Sequence, residues 1–170
     1  ALQWVLGDIR EVSATLATRR PTYVVTGTDE VRSRDIDDQV LITGTLETGT
    51  VVAAHYRGGS SRATNFRWEI NGTEGDLVLT APSGHAQAAE LTVHGARGDE
   101  ALAELSVPAE YRSTPLDLPP AAVNVAEAYA RFALGSDAVE PLPDFDEAVR
   151  LHRLLDAIER SAHSGMRVSL

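Results

Sequence analysis

Across residues 9–20 apolar and polar positions alternate loosely, with Val12, Ala14, Leu16 and the β-branched Thr18 on one face. That is the pattern of a long strand whose one face is at least partly buried. Residues 26–38 are polar and acidic and predict a loop. Val40, Ile42, Gly44 and Leu46 then alternate, Thr48-Gly49 turns the chain, and Val52, Ala54 and Tyr56 return, which is a hairpin signal. Gly58-Gly59-Ser60-Ser61 breaks the strand. Phe66, Trp68 and Ile70 resume the alternation, with Asn65, Arg67, Glu69 and Asn71 on the opposite face. The turn at residues 71–75 leads into Leu77-Val78-Leu79. Two more strands are predicted at 90–94 and 101–107, separated by Gly95 and Gly98. Connections this short make the run mainly antiparallel.

The last third changes period. Pro119-Pro120 sets up a helix start, Ala122, Val125, Tyr129, Phe132 and Ala133 fall on one helical face, and Gly135 ends it. Asp144 opens a second helix, with Glu147 placed as in a capping box. Ala148, Leu151, Leu155, Ile158 and Ala162 form its apolar stripe. Asp146 with Arg150, and Asp156 with Arg160, are i,i+4 pairs on its wet side, and Gly165 closes it. Arg167-Val168-Ser169-Leu170 reads as a short terminal strand. Strands first and helices after is the pattern of an α+β fold: a large, mostly antiparallel open sheet with helices covering one face. The other face, holding Val51, Ala53, His55 and Arg57, is half polar and suited to a partner.

Composition narrows the chemistry. The 170 residues, read as one domain spanning 1–170, contain no cysteine, which excludes disulfides and thiolate chemistry. All fifteen basic residues are arginine, so no lysine mechanism can be completed within the chain. A formal charge of −10 argues against a nucleic-acid surface. No apolar run approaches the ~18 residues of a membrane span, and no signal peptide is evident. These features lead to the expectation of a cytoplasmic location. The opening residues 1–7, apolar up to Gly7, read as the tail of a helix that begins earlier.

Candidate chemistry is sparse. His55, His85, His94, His152 and His163 show no H-x-H or H-E-x-x-H spacing, so no zinc site is indicated. The acidic cluster Asp35-Asp37-Asp38 lacks the Gly and terminal Glu of a calcium loop, and Asp144-Asp146-Glu147 is explained by a helix start. Asn71-Gly72-Thr73 fits a glycosylation acceptor, but its Asn-Gly sequence is that of a tight turn. Glycine permits close backbone approach and arginine forks onto carboxylate or phosphate. The residues flanking the Gly58-Gly59 break, Tyr56, Arg57, Ser60, Arg62 and Asn65, are therefore the candidates for facing a ligand. Ordinary loop sequence would read the same way. No G-x-S-x-G and no G-x-G-x-x-G occurs, so no catalytic and no cofactor-binding residue is assigned.

The strand–turn–strand Phe66-Arg67-Trp68-Glu69-Ile70-Asn71-Gly72-Thr73-Glu74-Gly75-Asp76-Leu77 resembles the I-x-G-T-x-G element of the Gfo/Idh/MocA oxidoreductases, the glucose–fructose oxidoreductase and inositol dehydrogenase family. Residues 145–168 resemble that family's last helix and closing strand. Trp4, Leu6 and Gly7 resemble the tail of the helix that precedes its first sheet strand. Residues 38–82 are most similar to the branch containing the yeast galactose-pathway repressor. The resemblance implies a C-terminal α+β substrate and oligomerisation domain, with an N-terminal Rossmann domain binding NAD or NADP outside this chain. It implies a Lys in an E-K-P motif and an Asp and His on the preceding helix as the catalytic set. The E-K-P segment is absent, and the Asp and His positions would fall before Ala1.

The expected partners are a small-molecule substrate in a longer parent and a second copy through the open sheet face. The parent is then either a sugar or polyol oxidoreductase or a non-catalytic regulator. An independent sheet-based binding module of the nuclear-transport-factor type is the third possibility.

Overall fold

The computed structural model describes residues 1–59, 61–111, 117–135 and 142–170. The chain divides into two compact units, Ala1–Gly59 with Pro143–Leu170, and Ser60–Leu142.

The first unit opens on α1 (Leu2–Leu6), closed by Gly7, whose N–H donates to the Gln3 carbonyl. Its sheet runs in the order β10 (Val168–Ser169), β1 (Ile9–Ala17), β4 (Gln39–Leu46), β5 (Val51–Arg57), antiparallel throughout. The strand and hairpin expected from alternation are present. Gly44 lies opposite Val12, where a Cβ would run into the Glu11 carbonyl, so glycine is what lets β1 and β4 approach. α3 (Phe145–Ser164) packs on β1 and β10. The Asp144 carboxylate accepts the Glu147 N–H, and Gly165 takes the left-handed conformation that ends the helix. The buried core joins Ile9, Val12 and Leu46 of the sheet to Leu154, Ala157 and Ile158 of α3.

Three features of this unit depart from the pattern reading. The buried stripe of α3 is Leu154, Ala157, Ile158 and Ser161, leaving Leu151 and Leu155 at its margin, half exposed. Arg150 pairs with Glu147, three residues back, rather than with Asp146. Residues 26–38 are not all loop: β3 (Val31–Ser33) pairs with β2 (Thr22–Val24) in a two-stranded ribbon. Arg34 lies over the Tyr23 ring, 5.9 Å from its centroid. Three-residue strands exposed on both faces carry no burial period for alternation to detect.

The second unit holds the antiparallel sheet β6 (Phe66–Asn71), β7 (Gly75–Ala81), β8 (Thr92–Arg97), β9 (Ala103–Leu105). Gly95 lies inside β8 instead of ending a strand, because a Cβ there would sit 2.6 Å from Leu105 Cδ1 and crowd Leu77. The turn comes later, at Gly98, whose N–H donates to the Glu74 carbonyl. α2 (Pro120–Leu134) packs on the single-turn helix Ala86–Ala88, where Asn124 Nδ2 donates to the Gln87 carbonyl at 2.6 Å. The α2 face expected to cover the sheet is open: Val125, Tyr129 and Phe132 are exposed and line a groove of 590 Å³. Val123, Ala126, Ala128 and Ala130 are half-buried. The architecture is α+β with mostly antiparallel sheets.

Candidate functional site

Strand alternation sends Leu16, Val40 and Tyr56 to one face of the first unit's sheet in one row, and Ala14, Ile42 and Ala54 in the next. α3 covers β1 and β10, so the β4 and β5 positions of that face remain open. The result is a trough of 1070 Å³, floored by Val40, Ile42, Val52, Ala54 and Tyr56 and walled by Leu151 and Leu155 of α3. α1 closes one end with Leu2, Trp4 and Val5. Trp4 and Tyr56 are 57% and 65% exposed, so two large amphipathic rings are presented to whatever enters. Among the described residues the charged side chains lining the trough are Asp35, Asp37, Glu147 and Glu159.

The opposite face of the same sheet carries Ser13, Thr15, Leu41, Thr43, Ala53 and His55. At one end the Glu11 carboxylate accepts from Thr45 Oγ1 at 3.0 Å and from Arg167 Nη1 at 2.9 Å, with Arg10 at 3.7 Å. The Thr45 hydrogen bond, and then attraction to Arg167 and Arg10, hold the Glu11 carboxyl below its ordinary range although partial burial opposes this. His55 Nε2 meets Gln39 Oε1 at 3.2 Å on the same face.

The residues flanking the glycine break fall into different settings. Tyr56 lines the trough, and Arg57, next along β5, lies on the other sheet face. Ser60 lies outside the described residues. In the second unit Arg62 is exposed. Asn65 staples its own loop, accepting the Ser61 N–H at 2.6 Å and donating to the Ser61 and Pro82 carbonyls at 3.0 Å. At the break, Gly59 adopts φ +89°, and the Arg20 guanidinium fills the space a side chain would need.

Asp38 is the residue the pattern reading undervalued. It is buried, and its carboxylate accepts Gln39 Nε2 at 3.0 Å, the Arg19 N–H at 3.1 Å and the Arg20 N–H at 2.6 Å. Its own carbonyl accepts the Gly58 N–H, so one residue ties together the ends of β1, β4 and β5 beside the trough. These hydrogen bonds, the Gln39 one foremost, hold its carboxyl below the ordinary aspartate range against the opposing effect of burial, with Arg34 assisting. The unfolded chain therefore binds the proton more readily, and stability is lost as pH falls through the normal carboxylate range towards the depressed one. Thermal melts should fall in that acid window. Asp38→Asn should lower Tm by several degrees at neutral pH and flatten the acid dependence, because an amide has one acceptor oxygen and puts an NH2 donor where the second accepted. An Asp38→Asn protein that keeps both the wild-type Tm and its acid slope would sink this assignment.

Among the described residues no group of His, Cys, Asp or Glu could hold a metal ion, and no helix is long and apolar enough to cross a membrane. His152 and His163 each bond through Nδ1 to a carbonyl one turn back on α3, at Ala148 and Glu159. Among the described residues neither α2 nor α3 offers a start that fits a dinucleotide's pyrophosphate. Pyrophosphate sits on free N–H groups at a glycine-rich helix start. α3 begins with Asp144, Asp146 and Glu147, and α2 begins on two prolines, at Pro119 and Pro120, which have no N–H to offer.

Residues 1–81 match the family model for the Gal80p C-terminal domain. No curated protein matches the chain. Among solved structures, a super-repressor mutant of Gal80p from Saccharomyces cerevisiae superposes with a TM-score of 0.81 at 20% identity, over 99% of this chain and 46% of its own. An NAD-binding oxidoreductase from Klebsiella pneumoniae gives 0.71 at 27% identity, over 98% of this chain and 47% of its own. A levoglucosan dehydrogenase in complex with NADH and levoglucosan gives 0.74 at 21% identity, over 99% and 47%. The chain thus spans just under half the length of each. Its first 81 residues carry the Gal80p C-terminal-domain signature, and the chain as a whole has the fold of the C-terminal domain found in Gal80p and in Gfo/Idh/MocA-type NAD-binding oxidoreductases.

Proposed function

We propose that this chain is the C-terminal, substrate-pocket and oligomer-contact domain of a cytoplasmic NAD(P)-dependent oxidoreductase acting on a sugar, polyol or related hydroxy compound. The observation that carries the reading is the likeness, over nearly the whole chain, to NAD-binding oxidoreductases of about twice its length. The trough supports it as the surface that meets the dinucleotide-binding part of the longer protein, with Tyr56 and Trp4 at the substrate's side. In this reading the chain's own residues supply shape and contact: Asp38 holds the strand ends that frame the trough, and the outer face receives a second copy. Hydride acceptor and proton-transferring groups come from elsewhere in the parent.

The test is an assay of the longer protein with NAD and NADP against a panel of neutral sugars and polyols, followed by nicotinamide absorbance. Turnover is expected with at least one of them. The 170-residue chain alone should turn over none and bind no dinucleotide by calorimetry. Micromolar dinucleotide affinity in this chain would overturn the assignment. Sedimentation should show a dimer that Thr43→Arg dissociates; a monomer at high concentration would count against the sheet-on-sheet contact.

A second reading is supported by the Gal80p family match: a regulator that binds dinucleotide without turning it over. It predicts tight dinucleotide binding by the longer protein and no hydride transfer to any of the compounds.

A further inference from the structure

The turn that joins β6 to β7 carries a chemistry of its own. The chain has three asparagines, Asn65, Asn71 and Asn124, followed by Phe66, Gly72 and Val125. The backbone nitrogen of the following residue can attack an asparagine carboxamide and close a cyclic imide. A bulky or β-branched follower shields that nitrogen, and glycine, with no Cβ, leaves it open. Asn71 is the asparagine followed by glycine.

The fold exposes this pair and also restrains it. Residues 71–74 are exposed at the end of the hairpin. Asn71 lies opposite Asp76, and its Nδ2 donates to Asp76 Oδ1 at 2.8 Å. The Gly72 N–H donates to the Gly75 carbonyl at 2.9 Å. Nucleophile and electrophile are therefore both held until the turn opens, and exposed turns open far more readily than a whole fold does. The same turn is a tie-point. A Cβ on Gly75 would sit 2.2 Å from the Ala96 carbonyl oxygen, and the Glu74 carbonyl accepts the Gly98 N–H at 3.1 Å. A covalent change at Asn71 thus reaches β6, β7 and β8 together.

We propose that Asn71 is a site of spontaneous covalent modification, converted through a cyclic imide with Gly72 into aspartate and isoaspartate, and that Asp76 sets the rate. The Gly72 nitrogen gives its proton to solvent and bonds to Asn71 Cγ. The Cγ–Nδ2 bond breaks, and Nδ2 leaves as ammonia with a proton from water. Water then opens the imide at Cγ to give aspartate, or at the Asn71 main-chain carbonyl to give isoaspartate. Asp76 slows the first step: its carboxylate fixes Nδ2 and, by drawing on that N–H, leaves Cγ less electrophilic. The products set a carboxylate against Asp76, and like charges directly opposite on paired strands are destabilising. The isoaspartate form also adds a methylene to the main chain at the last residue of β6.

The test holds the 170-residue chain at mildly alkaline pH, samples it over days and digests each sample at mildly acidic pH, with an unaged sample as the blank. Cleavage after Arg67 and Arg97 releases residues 68–97, in which Asn71 is the only asparagine. With time that peptide should separate into the starting amide and two isomers with the amide-to-acid mass gain. The peptides holding Asn65 and Asn124 should stay unchanged. Asp76→Ala should speed the loss of Asn71 about fivefold, ~1 kcal/mol of barrier. Asp76→Asn, whose side-chain oxygen still accepts from Nδ2, should recover most of the slowing, which a merely loosened turn would not explain. Asn71→Asp makes one product directly; it should lower Tm at neutral pH, and adding Asp76→Asn should restore most of the loss.

An Asn71 peptide that ages no faster than the other two overturns the proposal. Equal rates in the wild type and both Asp76 variants overturn the control assigned to Asp76, and an Asn71→Asp chain with the wild-type Tm overturns the coupling to the sheet. None of these readouts uses a dinucleotide or a sugar, so they stand or fall apart from the oxidoreductase reading.

Discussion

Leu46→Ala is expected to cost about 3 kcal/mol of folding stability, within the ~2–5 kcal/mol typical of buried Leu→Ala changes. Leu46 is fully buried at the end of β4, opposite Ile9, in the core cluster with Val12 and Ile158. The backbone around it is pinned: the Leu46 N–H donates to Thr50 and its carbonyl accepts the Gly49 N–H, so the site cannot collapse freely onto the space vacated. Urea unfolding at neutral pH measures the loss as a lower midpoint at constant slope. Leu41→Ala is the control. Leu41 lies on the same strand with its side chain on the outer face and 44% exposed, so its truncation should cost well under half as much. Equal losses at the two positions would mean that the core does not lie between this sheet face and α3.

Ser161→Ala is the second large effect, about 2 kcal/mol, although it removes a single oxygen. Ser161 is fully buried on α3, where its Oγ accepts the Ala14 N–H at 3.0 Å and donates to the Met166 carbonyl at 2.7 Å. β10 pairs with β1 only at Glu11 and Val12, so the Ala14 amide lies beyond the end of that ladder. The hydroxyl serves it instead, and alanine would leave the part-buried Ala14 amide and Met166 carbonyl without it, at about 1 kcal/mol for each hydrogen bond lost. Hydrogen exchange gives a specific readout: protection at Ala14 should fall by more than that at Ala157 or Ile158. Unchanged protection at Ala14 would show that water replaces the hydroxyl, and the stability loss should then be small.

The hairpin of β4 and β5, the pair β6 and β7 and the boundaries of α3 were legible because each rests on local chemistry. Alternation marks the strands, Gly49 with φ +87° turns the hairpin, Asp144 caps α3 and Gly165 ends it. The rotation of α3 was not legible. Its apolar residues span more than one face, and Leu151 with Leu155 satisfies a helical period as well as Leu154 with Ile158 does. The choice between them depends on where the sheet lies. The roles of Ser161 and of Asp38, read only as part of an acidic cluster, were hidden for the same reason: the backbone amides they serve are 147 residues away in one case and 18–19 in the other. The open face of α2 follows this rule too, since an apolar stripe shows that a helix can be covered but not that anything covers it.

Of the residues expected to face a ligand, Tyr56 is the one that lines the trough. The trough is a property of the space between α3 (Phe145–Ser164) and two strands that end at Arg57, and its acidic side chains Asp35, Asp37, Glu147 and Glu159 are brought to one rim only by the fold. By itself the sequence determined the strand and helix periods, the caps and turns, the lack of lysine and cysteine, and the resemblance carried by the turn at residues 71–75. Those are properties of neighbouring residues, set by backbone sterics and side-chain type. The tertiary structure alone decided which apolar faces meet, which buried polar atoms are served across the fold, and which face of the sheet stays open. Each of those depends on distances between residues far apart in the chain, which no local period encodes.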